Sequence, residues 1–167
     1  MKAAEGSIGA GLRKLESAPS VTFCGYCGER PDGSQGTESR ICPRCKMGLL
    51  LQTPRNLAPR SSDPFVVTDG QMRLRAVSEL AERLLGVSEV DAVNRSLDEF
   101  LVPAETTPAA AARLRATLCE VAVSPYGSHS PGAAVLQPRH TYGVRHGVRI
   151  APCQPGPAAL IVFEEAL

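Results

Sequence analysis

Two C-x-x-C pairs, Cys24/Cys27 and Cys42/Cys45, flank a polar spacer over residues 28–41. These four thiols constrain the N-terminal third more than any other feature, because so short a polar stretch cannot bury a core of its own. Three chemistries compete for them. A dithiol redox centre uses a similar C-G-x-C sequence, but it needs the first thiol at the N-terminus of a long helix, whose dipole lowers its pKa. Here Cys27 is followed by "GERPDGSQG", which is incompatible with helix. Four free thiols on an exposed loop are chemically unattractive. A metal clip needs four soft thiolates in a tetrahedron, each C-x-x-C turn presenting two sulfurs to one ion. The spacer is slightly short for paired motifs, yet long enough for a hairpin to return. Zn(2+) is the expected ion, with iron the lesser alternative, and Cys24, Cys27, Cys42 and Cys45 are the expected ligands. Apart from Val21, Phe23, Ile41, Met47 and the "GLLL" run the segment has little to bury, so metal binding becomes part of its folding free energy.

The segment is similar to the zinc-ribbon family. "CGYCG" matches the family's knuckle, including Gly28 after the second ligand, where a positive φ is useful. "CPRCK" places Lys46 where glycine is common. Arg40, Arg44 and Lys46 flank the second pair, and a zinc ion with four thiolates carries a formal net charge that such cations offset. There is no basic stripe and almost no aromatic interleaving for base stacking. A structural or protein-contacting ribbon is therefore expected, and DNA or RNA contact is the less favoured outcome.

Charge and hydropathy bound the rest. Residues 1–64 carry nine Lys/Arg against six Asp/Glu and residues 65–167 nine against eleven, giving the chain its net +1. Such a balance makes no strong electrostatic bid for nucleic acid or an anionic membrane. No apolar run approaches the roughly 20 residues of a membrane-spanning helix, and "MKAAEGSIGAGLRKLESA" lacks the apolar core of a secretory signal. A cytoplasmic location is expected, where paired cysteines stay reduced and favour metal. Residues 1–20 read as a flexible leader with a weak helix around Gly11–Glu16. Residues 21–52 form the metal-binding segment and 53–64, "TPRNLAPRSSDP", a proline-rich linker. Residues 65–167 must hold the main core.

In that second part "FVVTD", a "GQ" turn and "MRLRAVS" predict a hairpin, with Met72, Leu74 and Ala76 alternating against Arg73 and Arg75. Ser78 caps a short helix, "ELAERLLG", stopped by Gly86. Ser88 with Asp91 and Ser96 with Glu99 look like capping boxes opening two more. Thr107 and Pro108 start a longer helix over 108–123, with Leu114, Leu118 and Val121 as its apolar stripe. "AAVLQ", "TYGVRHGVRIAPC" and "AALIVFEE" are strand-like.

This order and wording resemble the PAS family of sensor domains, over about residues 63–167. The match is carried by "DPFVVTDGQMRLRAVSELAERLLGVSEVDAVNRSLDEFL" and by the closing "VRIAPCQPGPAALIVFEE". Ser78 stands where many members carry asparagine, and Asn94 where glycine is usual before "RSL". The resemblance implies an α+β fold: a five-stranded antiparallel sheet cupping a pocket under short helices and one longer helix, preceded here by the small ribbon. It implies a sensor that binds haem, flavin or another small molecule, or nothing, and that often dimerises. Leu97 falls about where light-sensing members need a reactive cysteine, which argues against flavin photochemistry. The long helix has no histidine to ligate haem. His146 shares parity with Val144, Val148 and Ile150 and is expected as a core histidine rather than a ligand. Cys119 and Cys153 are expected to pack as small hydrophobes.

Catalysis finds no support: there is no Ser/His/Asp order, no nucleophile elbow, no H-E-x-x-H and no phosphate loop leading into a helix. The expected function is non-catalytic signalling or regulation, with a PAS-like sensor or dimerisation domain tethered to a structural zinc ribbon that contacts a protein partner. Two alternatives remain open. One is a transcription-associated factor whose ribbon touches DNA or polymerase while the PAS fold serves as a dimer scaffold. The other is a redox sensor that releases zinc on cysteine oxidation. The residues do not name the ligand.

Overall fold

A computed structural model describes residues 19–31, 39–124, 132–141 and 143–166. The expected leader helix around Gly11–Glu16 lies outside the described residues. Strand β1 (Ser20–Cys24) pairs antiparallel with β2 (Leu50–Pro54), placing Phe23 opposite Leu51. The remaining strands are β3 (Phe65–Asp69), β4 (Leu74–Val77), β5 (Leu101–Pro103), β6 (Gly132–Pro138), β7 (His146–Cys153) and β8 (Ala158–Ala166). They form one antiparallel sheet in the order β4-β3-β8-β7-β6-β5. Between β4 and β6 run helices α1 (Glu79–Leu85) and α2 (Glu89–Ala92), a 3-10 turn (Leu97–Glu99), β5, and helix α3 (Pro108–Val123).

The helices begin where their side chains satisfy orphan N–H groups. Ser78 is buried, and its hydroxyl accepts from the N–H of Ala81 in the first turn of α1 and from the N–H of Phe65 at the start of β3. One oxygen thus caps the helix and fixes where the first strand enters. Gly86 ends α1 with φ 64°, a left-handed cap that an L side chain adopts only under strain. Ser88 accepts from Asp91 N–H to open α2, and Thr107 accepts from Ala110 N–H to open α3. Leu114, Leu118 and Val121 of α3 are buried, as their spacing predicts.

Three expectations are corrected. The Ser96–Glu99 pair opens a single 3-10 turn, not an α-helix, because Leu101 is drawn into the core and the chain turns straight into β5. That strand gives the sheet six strands rather than five, and its Pro103 sits at an edge, where no donor is needed. The alternation of buried Met72, Leu74 and Ala76 against exposed Arg73 and Arg75 holds, but the three do not share one face. The register shifts between Val67 and Thr68, so Met72 and Leu74 face the helices while Ala76 faces the opposite side with Phe65 and Val67. Met72 itself lies in the turn at φ 60°.

The sheet is buried on both faces. On one, Leu74, Leu97, Leu101, Leu118, Leu136, Ile150 and Ile161 fill the space beneath the helices with no exposed surface. On the other, Phe23, Leu51 and Leu57 from the N-terminal segment pack on Phe65, Val67, Ala151, Leu160 and Val162. Strand β8 alternates between them: Ala159, Ile161 and Phe163 join the first cluster, and Ala158, Leu160 and Val162 the second. A strand with two dry faces reads as a continuous apolar run, which is the character of "AALIVF".

The segment 53–64, expected as a linker, is therefore largely seated. Thr53, Leu57 and Ala58 are buried, Gln52 and Gln154 exchange two backbone hydrogen bonds of 2.9 Å, and Thr53 Oγ1 donates to Pro152 O. The segment's first residues, Thr53 and Pro54, belong to β2, and proline content does not report burial.

Two variants probe this arrangement. Phe23→Ala should cost the chain about 3–5 kcal/mol, read as one urea transition moved to lower concentration. A separate early transition with an unmoved main one would contradict the shared cluster. Ser78→Ala removes the acceptor of two buried N–H groups and should cost about 1–3 kcal/mol, whereas Ser124→Ala, on an exposed hydroxyl, should change the midpoint little.

Candidate metal centre

The two C-x-x-C turns face each other across the β1–β2 ribbon. Strand β1 ends at Cys24, and the chain returns on itself as Gly28 N–H donates to Cys24 O at φ 72°. The second turn repeats the device, with Lys46 N–H donating to Cys42 O. Lys46 adopts φ 60° there. The second turn thus carries on a lysine the left-handed backbone that glycine carries in the first, at a cost of roughly 1–2 kcal/mol.

The four sulfurs all lie within 4.8 Å of one another. Cys24 Sγ is 3.6 Å from Cys45 Sγ, and Cys27 Sγ is 3.9 Å from Cys42 Sγ. Four thiolates bound tetrahedrally at about 2.3 Å from one zinc stand about 3.8 Å apart, so these separations suit a single ion. The sulfurs are also placed to receive charge-stabilising donors. Cys24 Sγ accepts from the N–H groups of Tyr26 and Cys27, and Cys45 Sγ from that of Gly48, each at 3.4 Å. Burial pushes the Cys24 thiol well up and that of Cys27 up to about 11. At Cys45 burial acts the same way, but the N–H groups of Gly48 and Met47, together with hydrogen bonds from Cys24 and Cys27, outweigh it and hold the thiol down at about 7. Such a donor set could hold a metal ion.

Gly48 is a site residue that the spacing of the cysteines does not announce. A Cβ there would overlap Cys24 Sγ and come within 2.7 Å of Tyr26 Cβ and 2.8 Å of Tyr26 N. Only glycine lets the return strand pass this close to the first turn. Its one signal in the sequence is its place three residues after Cys45, where the N–H points back at the sulfur.

The first turn is also tied to the large sheet's helices. Tyr26 O accepts from the N–H of Glu79, the first residue of α1, and Tyr26 Oη donates to Glu82 Oε2 at 3.3 Å. Of the cations expected around the thiols, Arg44 pairs with Glu29 across the two turns. Arg40 and Lys46 point to solvent.

The other candidates lie apart from this centre. Cys153 is buried in the second cluster, its thiol raised to about 12 by burial, so it packs as a small hydrophobe. Cys119 is half-buried and donates to Gly70 O at 3.1 Å. The parity that would align His146 with Val148 and Ile150 is broken by a register shift at Gly147. The imidazole is half-buried, lies edge-on to Phe163 at 5.9 Å, and lines a cleft at the sheet's rim. Among the described residues, no helix is long and apolar enough to cross a membrane.

No family model matches the chain, and no curated protein does. Among solved structures it is similar to the PAS domain of an HTR-like protein from Haloarcula marismortui, at 14% identity and a TM-score of 0.45, over 64% of this chain and 83% of that one. It is also similar to a chain of the E. coli DhaR(N)–DhaL complex, at 15% identity and a TM-score of 0.40, over 62% of this chain. Only 31% of that second chain's length is spanned.

Gly48→Ala should prevent the second turn from closing on the first. Protein purified from zinc-supplemented medium should then carry well under one metal per chain by elemental analysis. Full metal content in a folded Gly48→Ala protein would contradict the close approach.

Proposed function

We propose that this chain is a non-catalytic regulatory protein in which a PAS-like sensor or dimerisation fold, residues 65–167, works together with a zinc-loaded ribbon, residues 21–52. Cys24, Cys27, Cys42 and Cys45 hold the zinc, whose role is structural: it closes the two turns and supplies the folding free energy that a short polar segment lacks. The observation that carries the reading is the joint between the halves. The first metal-binding turn accepts a hydrogen bond from the N-terminus of α1 through Tyr26, while Phe23 and Leu51 pack on the sheet. Packing and backbone bonds of this kind pass a change in one half to the other, which a free linker would not do.

The outward end of the ribbon supports a protein partner. Met47 and Leu49 are 62% and 56% exposed, and Val90 on the neighbouring α2 is 88% exposed. These side chains border a groove that continues onto Pro155 and Pro157 of the β7–β8 turn. Apolar side chains gathered at one end of a small module mark an interaction surface more readily than a phosphate-binding one.

Native mass spectrometry of protein purified without added metal should show one zinc per chain. Thermal unfolding of the zinc-stripped chain should then lower the melting temperature of the six-stranded sheet by several degrees, since loss of a ligand bound only by the folded state destabilises it by mass action. A folded chain that carries no metal as purified would sink the zinc reading. An unchanged melting temperature after stripping would show the ribbon to be an independent appendage.

A further inference from the structure

A second concentration of chemistry lies away from the thiols. A cleft of about 900 Å³ opens where the loop 55–64 crosses the rim of the six-stranded sheet. Four guanidinium groups line it, those of Arg30, Arg55, Arg60 and Arg149, against two carboxylates, Asp63 and Glu164. In a chain of net charge +1 this is a local cationic surplus. Both carboxylates already engage the same cation: Arg149 lies 3.2 Å from Asp63 and 3.7 Å from Glu164. Arg30 donates to the carbonyls of Ala58 and Pro59. Arg55 and Arg60 are exposed and pair with no carboxylate among the described residues. Beside them the wall turns apolar, with Ala58, Pro64, Leu84 and Phe163.

We infer that this cleft binds a small organic phosphate. Two unpaired guanidinium groups match the charge of a phosphate dianion and offer it forked, charge-assisted hydrogen bonds, whereas a single carboxylate would satisfy only one of them. The apolar wall receives the body of the ligand, a ring or short hydrocarbon lying against Leu84 and Phe163. A concave site of this size, closed by an apolar wall, suits a small molecule rather than a polymer. The walls come from three places: Arg30 and the loop 55–64 on the N-terminal side, Leu84 of α1, and the strands β7 and β8. A ligand here bridges the ribbon side to the sheet and tightens the joint between them. This gives the regulatory fold an input outside its close-packed interior. It extends the regulatory reading by naming a ligand class but stands on the cleft alone, so its failure leaves the metal reading untouched.

The test uses the full zinc-loaded chain, ¹⁵N-labelled, titrated with phenyl phosphate and with inorganic phosphate at constant ionic strength. Saturable amide shifts are expected at Arg60, Leu84, Arg149 and Phe163, with phenyl phosphate the tighter of the two. The double variant Arg55→Gln/Arg60→Gln should weaken phenyl phosphate binding by about ten-fold or more, as expected for loss of charged hydrogen bonds, with the rest of its spectrum unchanged. Arg113→Gln/Arg115→Gln on α3, remote from the cleft, should bind as the parent does. Shifts that do not saturate, affinity retained in the Arg55/Arg60 variant, or an equal loss in the α3 control would each overturn the assignment.

Discussion

The ring of Phe23 stands edge-on to that of Phe65, 5.6 Å between centroids, and both are fully buried. Phe23 lies one residue before the first thiol and Phe65 opens the large sheet, so this contact joins two structures that the cysteine spacing treats as separate. Around it Leu51, Leu57, Leu160 and Val162 close a cluster that belongs to neither half alone. A two-stranded ribbon has one face to hide and no second layer of its own. The six-stranded sheet has a back face that its helices do not cover. Each solves the other's problem, and the dual burial of β8 follows.

The same contact sets what the thiols can influence. With the ribbon seated, Tyr26 satisfies the N–H of Glu79 and reaches Glu82, whose other oxygen accepts from Glu89 N–H at the start of α2. A chain of hydrogen bonds thus leads from the first C-x-x-C turn through α1 to α2. Glu89 in turn accepts from Val77 N–H in β4, and burial raises its carboxyl above the ordinary range. Among the described residues the second turn has no such ties to the helices, and its Met47 and Leu49 are exposed beside Val90. One turn therefore faces the fold and the other faces outward, an asymmetry that suits a module with an internal and an external contact.

Much was legible because it depended on local chemistry. Ser78, Ser88 and Thr107 were readable as caps from their place before apolar periods, since a cap needs only a hydroxyl and the N–H groups two or three residues on. Gly86 was readable as the stop of α1 for the same local reason, and Gly28 as a positive-φ position from the knuckle it resembles. The four thiols were legible from their pairing. Less so were features that need distant atoms. Gly48 matters because Cys24 and Tyr26 lie against it, and they sit more than twenty residues earlier. Arg55, Arg60 and Arg149 read as ordinary surface charges until the fold brings their strands and loop to one cleft.

By itself, the sequence determined the caps, the apolar stripe of α3 and the pairing of the four thiols, because capping, periodicity and thiol spacing act over a few residues. Tertiary structure alone decided that residues 53–64 are seated rather than free, that a register shift turns Ala76 away from Leu74, and that Leu101–Pro103 adds a sixth strand. Each of these depends on which surface lies opposite once the chain is compact. Proline content or alternation within one segment does not encode that, because the deciding atoms belong to another segment.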